Sequence, residues 1–212
     1  MEPVRVDMWS DVACPWCLLG GAHLREASRR AGIPVEVEMH AFQLSPDQKD
    51  VEPVRDHLAR NYSDPARIAA SQDRLRAMGA AVGLDYDFEH ALAANTFDAH
   101  RLHHFAKQQG LGAEVMEGLL RAQHTEGKDV SDPATLLAVA VGAGLDADPV
   151  QALLDSDDFA GSVWADIEEA HRSGVQGVPF FVLDRRLALS GAQPVEVFEQ
   201  ALRQASATPS PH

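Results

Sequence analysis

Cysteine is scarce in this sequence: Cys14 and Cys17 are the only two in 212 residues. That excludes a framework of structural disulfides, and it leaves no second cysteine pair to complete a four-cysteine zinc site. Positive charge is also in short supply. Eighteen Lys and Arg face thirty-two Asp and Glu, a formal net charge of −14. The longest basic runs are the pairs Arg29-Arg30 and Arg185-Arg186. A surface that tracks phosphates clusters its Lys and Arg, so nucleic acid is not an expected partner. Long apolar runs are missing too. None approaches the ~20 residues a helix needs to cross a bilayer, so no membrane partner is expected. There is no internal repeat. The opening residues lead into Val4-Arg5-Val6-Asp7-Met8-Trp9, an alternating strand pattern where a signal peptide would carry an apolar run. The expected location is cytoplasmic, where a permanent structural disulfide is not expected.

What is present reads as an α/β protein. Residues 4–9 alternate like a strand, and a helix should open near Cys14. Pro15 suits its first turn, where a missing N–H would be unpaired anyway, and Gly32 is a good stop. Residues 34–42 alternate again, with Val35, Val37 and Met39 on one face and Glu36 and Glu38 on the other. Strand, helix, strand implies parallel pairing. From about 53 to 173 the pattern is helix after helix. Pro65, Pro133 and Pro149 each follow an Asp, the cap-then-proline start signal. Strand signal returns at 180–183 and 187–189 around Asp184-Arg185-Arg186, a hairpin. A last helix covers about 194–205, and residues 206–212 read as a disordered tail. The expected organisation is one sheet-bearing domain, 1–45 with 174–205, interrupted by an all-helical insertion at 46–173.

The two cysteines form the motif Cys14-Pro15-Trp16-Cys17 at the predicted helix start. Positions i and i+3 in a first turn share a face at about disulfide distance. A cysteine at a helix N-terminus meets converging N–H groups and the positive end of the helix dipole, which favour the reactive thiolate. Cys14 is therefore the candidate nucleophile and Cys17 the candidate resolving thiol. A zinc half-site completed by some of the ten histidines, or two inert buried thiols, are the competing readings.

The segment Ser10-Asp11-Val12-Ala13-Cys14-Pro15-Trp16-Cys17-Leu18-Leu19-Gly20 resembles the active-site region of DsbA-family thiol–disulfide oxidoreductases, in particular their cytosolic FrnE-like branch. Further stretches resemble the same branch, in order: Phe42-Gln43-Leu44-Ser45-Pro46-Asp47, Asn95-Thr96 with Ala99-His100-Arg101-Leu102, residues 174–181, and Ser190-Gly191-Ala192-Gln193. The resemblance implies a thioredoxin-like fold with a helical insertion. It implies that Pro179 is cis and faces the cysteine pair, and that Val178 meets substrate through its main chain. Pro15, Trp16 and His100 join Val178 and Pro179 as candidate substrate-binding residues, and the implied partners are disulfide or thiol substrates, protein or glutathione. The dipeptide is Pro-Trp where DsbA has Pro-His, so a strong oxidant character is not carried over.

Other polar residues are weaker candidates. His100, His103 and His104 fall at helical spacings that could hold a metal, but a site would need a carboxylate or a further ligand that the sequence does not pin down. The reading preferred is one packed histidine and two solvated ones, with no metal and no cofactor. Asp11 is close enough to Cys14 to oppose its thiolate or to move its proton. Gln43 and Arg101 look functional only through the resemblance, and Trp9 and Phe42 suit core packing better than a substrate rim. Two other activities stay open: a glutathione-linked isomerase or kappa-type glutathione transferase, and a non-catalytic chaperone-like or accessory role. A monomer or a homodimer would suit any of them.

Overall fold

The computed structural model describes residues 2–207. The elements run β1 (Val4–Ser10), α1 (Pro15–Ala31), β2 (Val35–Ala41), β3 (Glu52–Pro53), α2 (Val54–Asn61), α3 (Pro65–Ala80), β4 (Leu92–Ala93), α4 (Phe97–Gln108), α5 (Gly112–His124), α6 (Pro133–Gly142), α7 (Ala147–Leu154), α8 (Ala160–Arg172), β5 (Phe180–Leu183), β6 (Leu187–Ser190) and α9 (Val195–Ala207). The main sheet has the order β2-β1-β5-β6. β1 and β2 pair in parallel from Val4↔Val35 to Ser10↔Ala41, and β5 runs antiparallel to both β1 and β6. This is a thioredoxin-like fold with a helical insertion between the two halves of the sheet, as the element order in the sequence implied.

The period of two along β1 places Val4, Val6 and Met8 on one face. There they meet Leu24 and Ala27 of α1 and Phe198, Leu202 and Ala205 of α9, in a core that includes both cysteines. Phe181 and Phe198 pack edge to face, 4.9 Å between centroids. Leu18 and Leu19 turn away from that core and join Leu102, Val115, Leu119 and Leu136 of the insertion. α1 is therefore shared by two cores, and the insertion is seated on the helix that begins with the cysteine motif. On the other sheet face Trp9 and Phe42 pack with Ala170 and Val175.

Three local expectations need correction. The insertion contains a small antiparallel pair, Glu52↔Ala93 and Pro53↔Leu92, because a two-residue strand carries no readable period. α7 starts at Ala147 with Asp146 as its cap, so Pro149 is the third helical residue, where its absent N–H still removes no intrahelical bond. α9 continues through Ser206 and Ala207, with Ser206 Oγ bonding back to the Arg203 carbonyl, so these two residues are not tail; residues 208–212 lie outside the described residues.

The polar face of β1 and β2 is covered by the insertion through an ionic clamp. Asp166 of α8 accepts from the Ala41 N–H at 2.8 Å and meets His40 Nδ1 at 3.3 Å and His104 Nε2 at 2.9 Å. His40 Nε2 lies 3.1 Å from Asp7 Oδ1, and its ring stacks on Trp9. Burial pushes the His40 pKa down, but the carboxylates of Asp166 and Asp7 outweigh it and the net shift is upward. Burial likewise pushes Asp166 up, and His104, His40 and the Ala41 N–H overcome it, for a net lowering. A raised histidine stabilises the fold below its unfolded value, about 6.5, and loses that contribution as pH rises through the folded value. The lowered carboxylate contributes above its unfolded value, about 3.9, and loses it in acid. The clamp is strongest between those limits. His40→Gln should cost about 1 kcal/mol near pH 5.5, or about 2–4 °C of Tm, and clearly less at pH 8.5. Thermal unfolding of both proteins at the two pH values measures this, and an equal deficit at both would show that His40 acts by packing alone.

Candidate active site

Cys14 is the cap of α1 and Pro15 its first residue, as the start signal predicts. The loop entering the helix is pinned by its own backbone. Cys14 N–H donates to the Asp11 carbonyl at 3.0 Å, and Cys17 N–H to the Cys14 carbonyl at 3.0 Å. Both thiols are free, with Cys14 only 3% exposed and Cys17 fully buried. No acidic residue occupies the first turn of α1.

The far end of the chain meets this turn. Val178–Pro179 is a cis peptide, and Cys14 Sγ donates to the Val178 carbonyl at 3.5 Å across 164 residues of sequence. Two glycines make the approach feasible. A Cβ on Gly20 would lie 3.0 Å from the Pro179 ring and 3.1 Å from Phe181, so a side chain there would force those rings to give by a few tenths of an ångström. Gly191 has φ of +80° and turns its N–H onto the Pro179 carbonyl at 2.8 Å. His23 Nδ1–H donates to the Gln193 carbonyl at 2.7 Å, which ties the same loop to α1.

Beneath the motif lies a buried polar layer. Asp11 is 1% exposed and His100 fully buried, with Nε2 of His100 3.4 Å from Asp11 Oδ1. Asp11 also accepts from the Ala13 N–H at 3.2 Å and the Leu44 N–H at 2.7 Å. Burial raises the Asp11 pKa, but His100, Leu44 and Thr96 bring it below the ordinary carboxylate value. Asp11 is thus a charged anchor of the loop, engaged by donors on several sides. For Cys17, burial and the adjacent Cys14 sulfur push the thiol well up, only partly offset by hydrogen bonds from Asp11 and Ser10.

Sequence reading missed three neighbours. Tyr86 Oη–H donates to the Pro15 carbonyl at 2.8 Å, and burial pushes its phenol pKa up, so it remains a donor. His124 Nε2–H donates to the Val12 carbonyl at 2.9 Å, and burial pushes its pKa down to about 4, so it is neutral. Arg74 lies over the Trp16 ring, 5.7 Å from its centroid. The chain separations are 71 residues for Tyr86 and 112 for His124, and no local pattern encodes either contact.

Other candidates fall elsewhere. Arg101 pairs with Asp98 and donates to the carbonyls of Leu153, Ser156 and Asp158, so it fastens the end of α7. Gln43, in the loop after β2, donates to Asn95 Oδ1 in the segment between β4 and α4. His103 and His104 are not solvated: His103 is 2% exposed and held neutral chiefly by burial, and His104 sits on Asp166. α4 is buried on most of its circumference, between α5 and α8, which the histidine spacing does not reveal. No cluster of three His, Cys, Asp or Glu among the described residues has the arrangement of a metal site.

Comparison with known proteins gives the family and the fold. A probable DsbA oxidoreductase from Streptomyces coelicolor has a solved structure that superposes with a TM-score of 0.91, at 42% identity over 99% of this chain and 92% of that one. The cytosolic disulfide reductase DsbM of Pseudomonas aeruginosa, solved with GSH, superposes with a TM-score of 0.69 over 96% of this chain and all of that one; at 18% identity this likeness is one of fold. An uncharacterised Bacillus subtilis protein, YwbO, is 26% identical over 94% of this chain and 96% of its own length. The family model of the DsbA-like thioredoxin domain matches residues 5–203, and with that match and the Streptomyces relative the chain belongs to the DsbA-like thioredoxin domain family.

Proposed function

We propose that Cys14 and Cys17 are the redox pair of a thiol–disulfide oxidoreductase acting on protein or small thiol substrates, glutathione among them. The observation that carries this reading is the meeting of Cys14 Sγ with the Val178 carbonyl beside cis-Pro179, at the first turn of α1. An extended substrate segment could pair with the main chain at Val178 while one of its sulfurs meets Cys14. Pro15, Trp16 and Pro179 would border that sulfur, with His100 acting from beneath through Asp11. In this assignment residues 46–173 are an insertion carried by 1–45 and 174–205, the chain falls in the FrnE-like branch, and it works in the cytoplasm. Two cysteines that are both consumed by the redox pair suit such a compartment.

The exchange proceeds in two displacements. Cys14, as the thiolate, attacks one sulfur of a substrate disulfide, forming a Cys14–substrate disulfide and releasing the other sulfur as a thiolate that takes up a proton. Cys17 then loses its proton and attacks Cys14 Sγ. The second substrate sulfur leaves and is protonated, and the Cys14–Cys17 disulfide is formed. Two electrons pass to the substrate, and an external thiol pair restores the dithiol by the reverse steps. The environment of Cys17 fits this order. Burial and the free Cys14 sulfur together keep Cys17 protonated; once Cys14 is in a mixed disulfide the part due to its sulfur is gone, and the Asp11 and Ser10 hydrogen bonds then oppose burial alone.

Insulin reduction in the presence of dithiothreitol, compared between the wild type and the double variant Cys14→Ser/Cys17→Ser, tests the assignment. Catalysis by the wild type and none by the double variant is expected. Equal turnover by the two would remove the pair from the chemistry.

A further inference from the structure

The segment 55–76 is electrostatically unlike the rest of the chain. It holds five arginines, Arg55, Arg60, Arg67, Arg74 and Arg76, against three aspartates, in a protein of formal charge −14. Most of the arginines have work within the fold or on their own helix. Arg60 pairs with Glu52, Arg76 with Asp73 at 3.2 Å, and Arg55 lies 3.6 Å from Asp56. Arg74 differs. It is exposed, and among the described residues its contact is the face of Trp16, with no carboxylate on its guanidinium. Trp16 lies between the two cysteines in sequence. A guanidinium lying over an aromatic face is positioned by it while its N–H edge stays free, and that edge matches a carboxylate in a two-bond fork.

A second layer supports the first. Arg76 stands 5.0 Å over Phe88, Phe88 stacks on Tyr86 with ring centroids 5.3 Å apart, and the Tyr86 hydroxyl holds the Pro15 carbonyl. α3 thus presents two arginines to the rings around the cysteine motif. Arg76 is neutralised by Asp73, which leaves Arg74 as the uncancelled one of the two, and Asp11 is buried among its own donors. The charge of the whole protein repels anions, so a cation over Trp16, the residue between the two cysteines, sets the sign of the charge around that ring within about one Debye length, roughly 10 Å at 0.1 M salt.

We propose that Arg74 is an anion-selecting residue of the redox site, binding a carboxylate that flanks the reacting sulfur, so that acidic disulfides of the glutathione type are preferred to neutral ones. The proposal rests on Cys14 being the attacking thiol, and its test separates the two ideas. The first measurement is alkylation of the reduced protein at Cys14, read by mass, with anionic iodoacetate and neutral iodoacetamide at low salt. The ratio of the two rates is expected to fall about tenfold in Arg74→Glu, to be preserved in Arg74→Lys, and to converge between variants at high salt. The second is the ratio of kcat/KM for glutathione disulfide over bis(2-hydroxyethyl) disulfide, expected to fall about tenfold in Arg74→Glu. A peptide disulfide with Glu flanks, compared with its Gln counterpart, separates the sources: loss with glutathione alone marks a small-thiol site, and loss with the Glu peptide as well marks any flanking carboxylate. An alkylation ratio and a specificity ratio that both ignore the charge at position 74 would overturn the proposal. A normal iodoacetate preference with no turnover of either disulfide would retain Arg74 as an anion-selecting group and reject the redox reading.

Discussion

Cys17→Ser is expected to abolish turnover while leaving Cys14 covalently occupied. In the two-step exchange the first displacement needs Cys14 alone, and the second needs a sulfur inside the fold that can reach Cys14 Sγ. Cys17 meets that need: it is fully buried, one helical turn on from Cys14, and its N–H donates to the Cys14 carbonyl at 3.0 Å. A serine oxygen cannot complete the displacement, so the mixed disulfide persists until an external thiol removes it. Turnover should fall by about 10³-fold or more in Cys14→Ser and in Cys17→Ser, as expected when a covalent nucleophile or its partner is lost. Their products should differ. Cys17→Ser incubated with glutathione disulfide should gain one glutathione by mass, and Cys14→Ser should gain none, because Cys17 is fully buried and burial disfavours its thiolate. Adducts on Cys17 in preference to Cys14 would reverse the assigned roles. A Cys17→Ser variant with full activity would point to single-cysteine, glutathione-linked chemistry instead.

Asp11→Ala should be the most damaging substitution outside the cysteine pair. Asp11 sits three residues before Cys14, and its carbonyl accepts the Cys14 N–H. Its carboxylate receives Ala13 N–H and Leu44 N–H and faces His100 at 3.4 Å, with both acid and imidazole out of solvent. Removing one member of a buried pair strands the other, at about 3–5 kcal/mol. For a chain of this size that is a fall in Tm of about 6–20 °C. Activity should fall further than unfolding explains at a temperature where the variant is still folded, because the freed Ala13 and Leu44 donors no longer hold the loop that carries Cys14. Asp11→Asn keeps the shape and an acceptor oxygen and should lose about half as much. Since the Asp11 pKa is lowered in the fold, its contribution is present above its unfolded value, about 3.9, and is lost as pH falls through the folded one. The deficit of Asp11→Asn against the wild type should therefore shrink in acid. Differential scanning calorimetry across pH, with activity measured alongside, reads both effects. A Tm within 2 °C of the wild type for Asp11→Ala would mean, by about 0.5–1 kcal/mol, that the pair contributes little.

These outcomes depend on features of unequal visibility in the sequence. The β1 strand, the helix opening at Pro15, the parallel β2 and the β5–β6 hairpin were legible because their signals are local: alternation, a proline in a first turn, and Asp184 in a turn where φ is +48°. The encounter of Cys14 with Val178 was not, since nothing near Pro179 encodes its partner 164 residues away. Only the resemblance of whole segments to a family pointed there. The histidines of α4 show the opposite failure. Their spacing was read correctly, but their surroundings came from α8, whose Asp166 receives His104 and His40. Tyr86, His124 and Arg74 reach the motif from the insertion, and a helix-period pattern says which face is apolar, not which ring that face will meet.

The central claim is that Cys14 and Cys17 exchange as one two-electron couple. Equilibration of the wild type with mixtures of reduced and oxidised dithiothreitol or glutathione, followed by acid quench and thiol counting by mass, measures this directly. The account predicts a single transition between a dithiol and an intramolecular Cys14–Cys17 disulfide, two hydrogens lighter, with the oxidised-to-reduced ratio changing tenfold per about 30 mV. A protein that stays dithiol across the whole range, or that accumulates only glutathione adducts with Cys17 free, would contradict it.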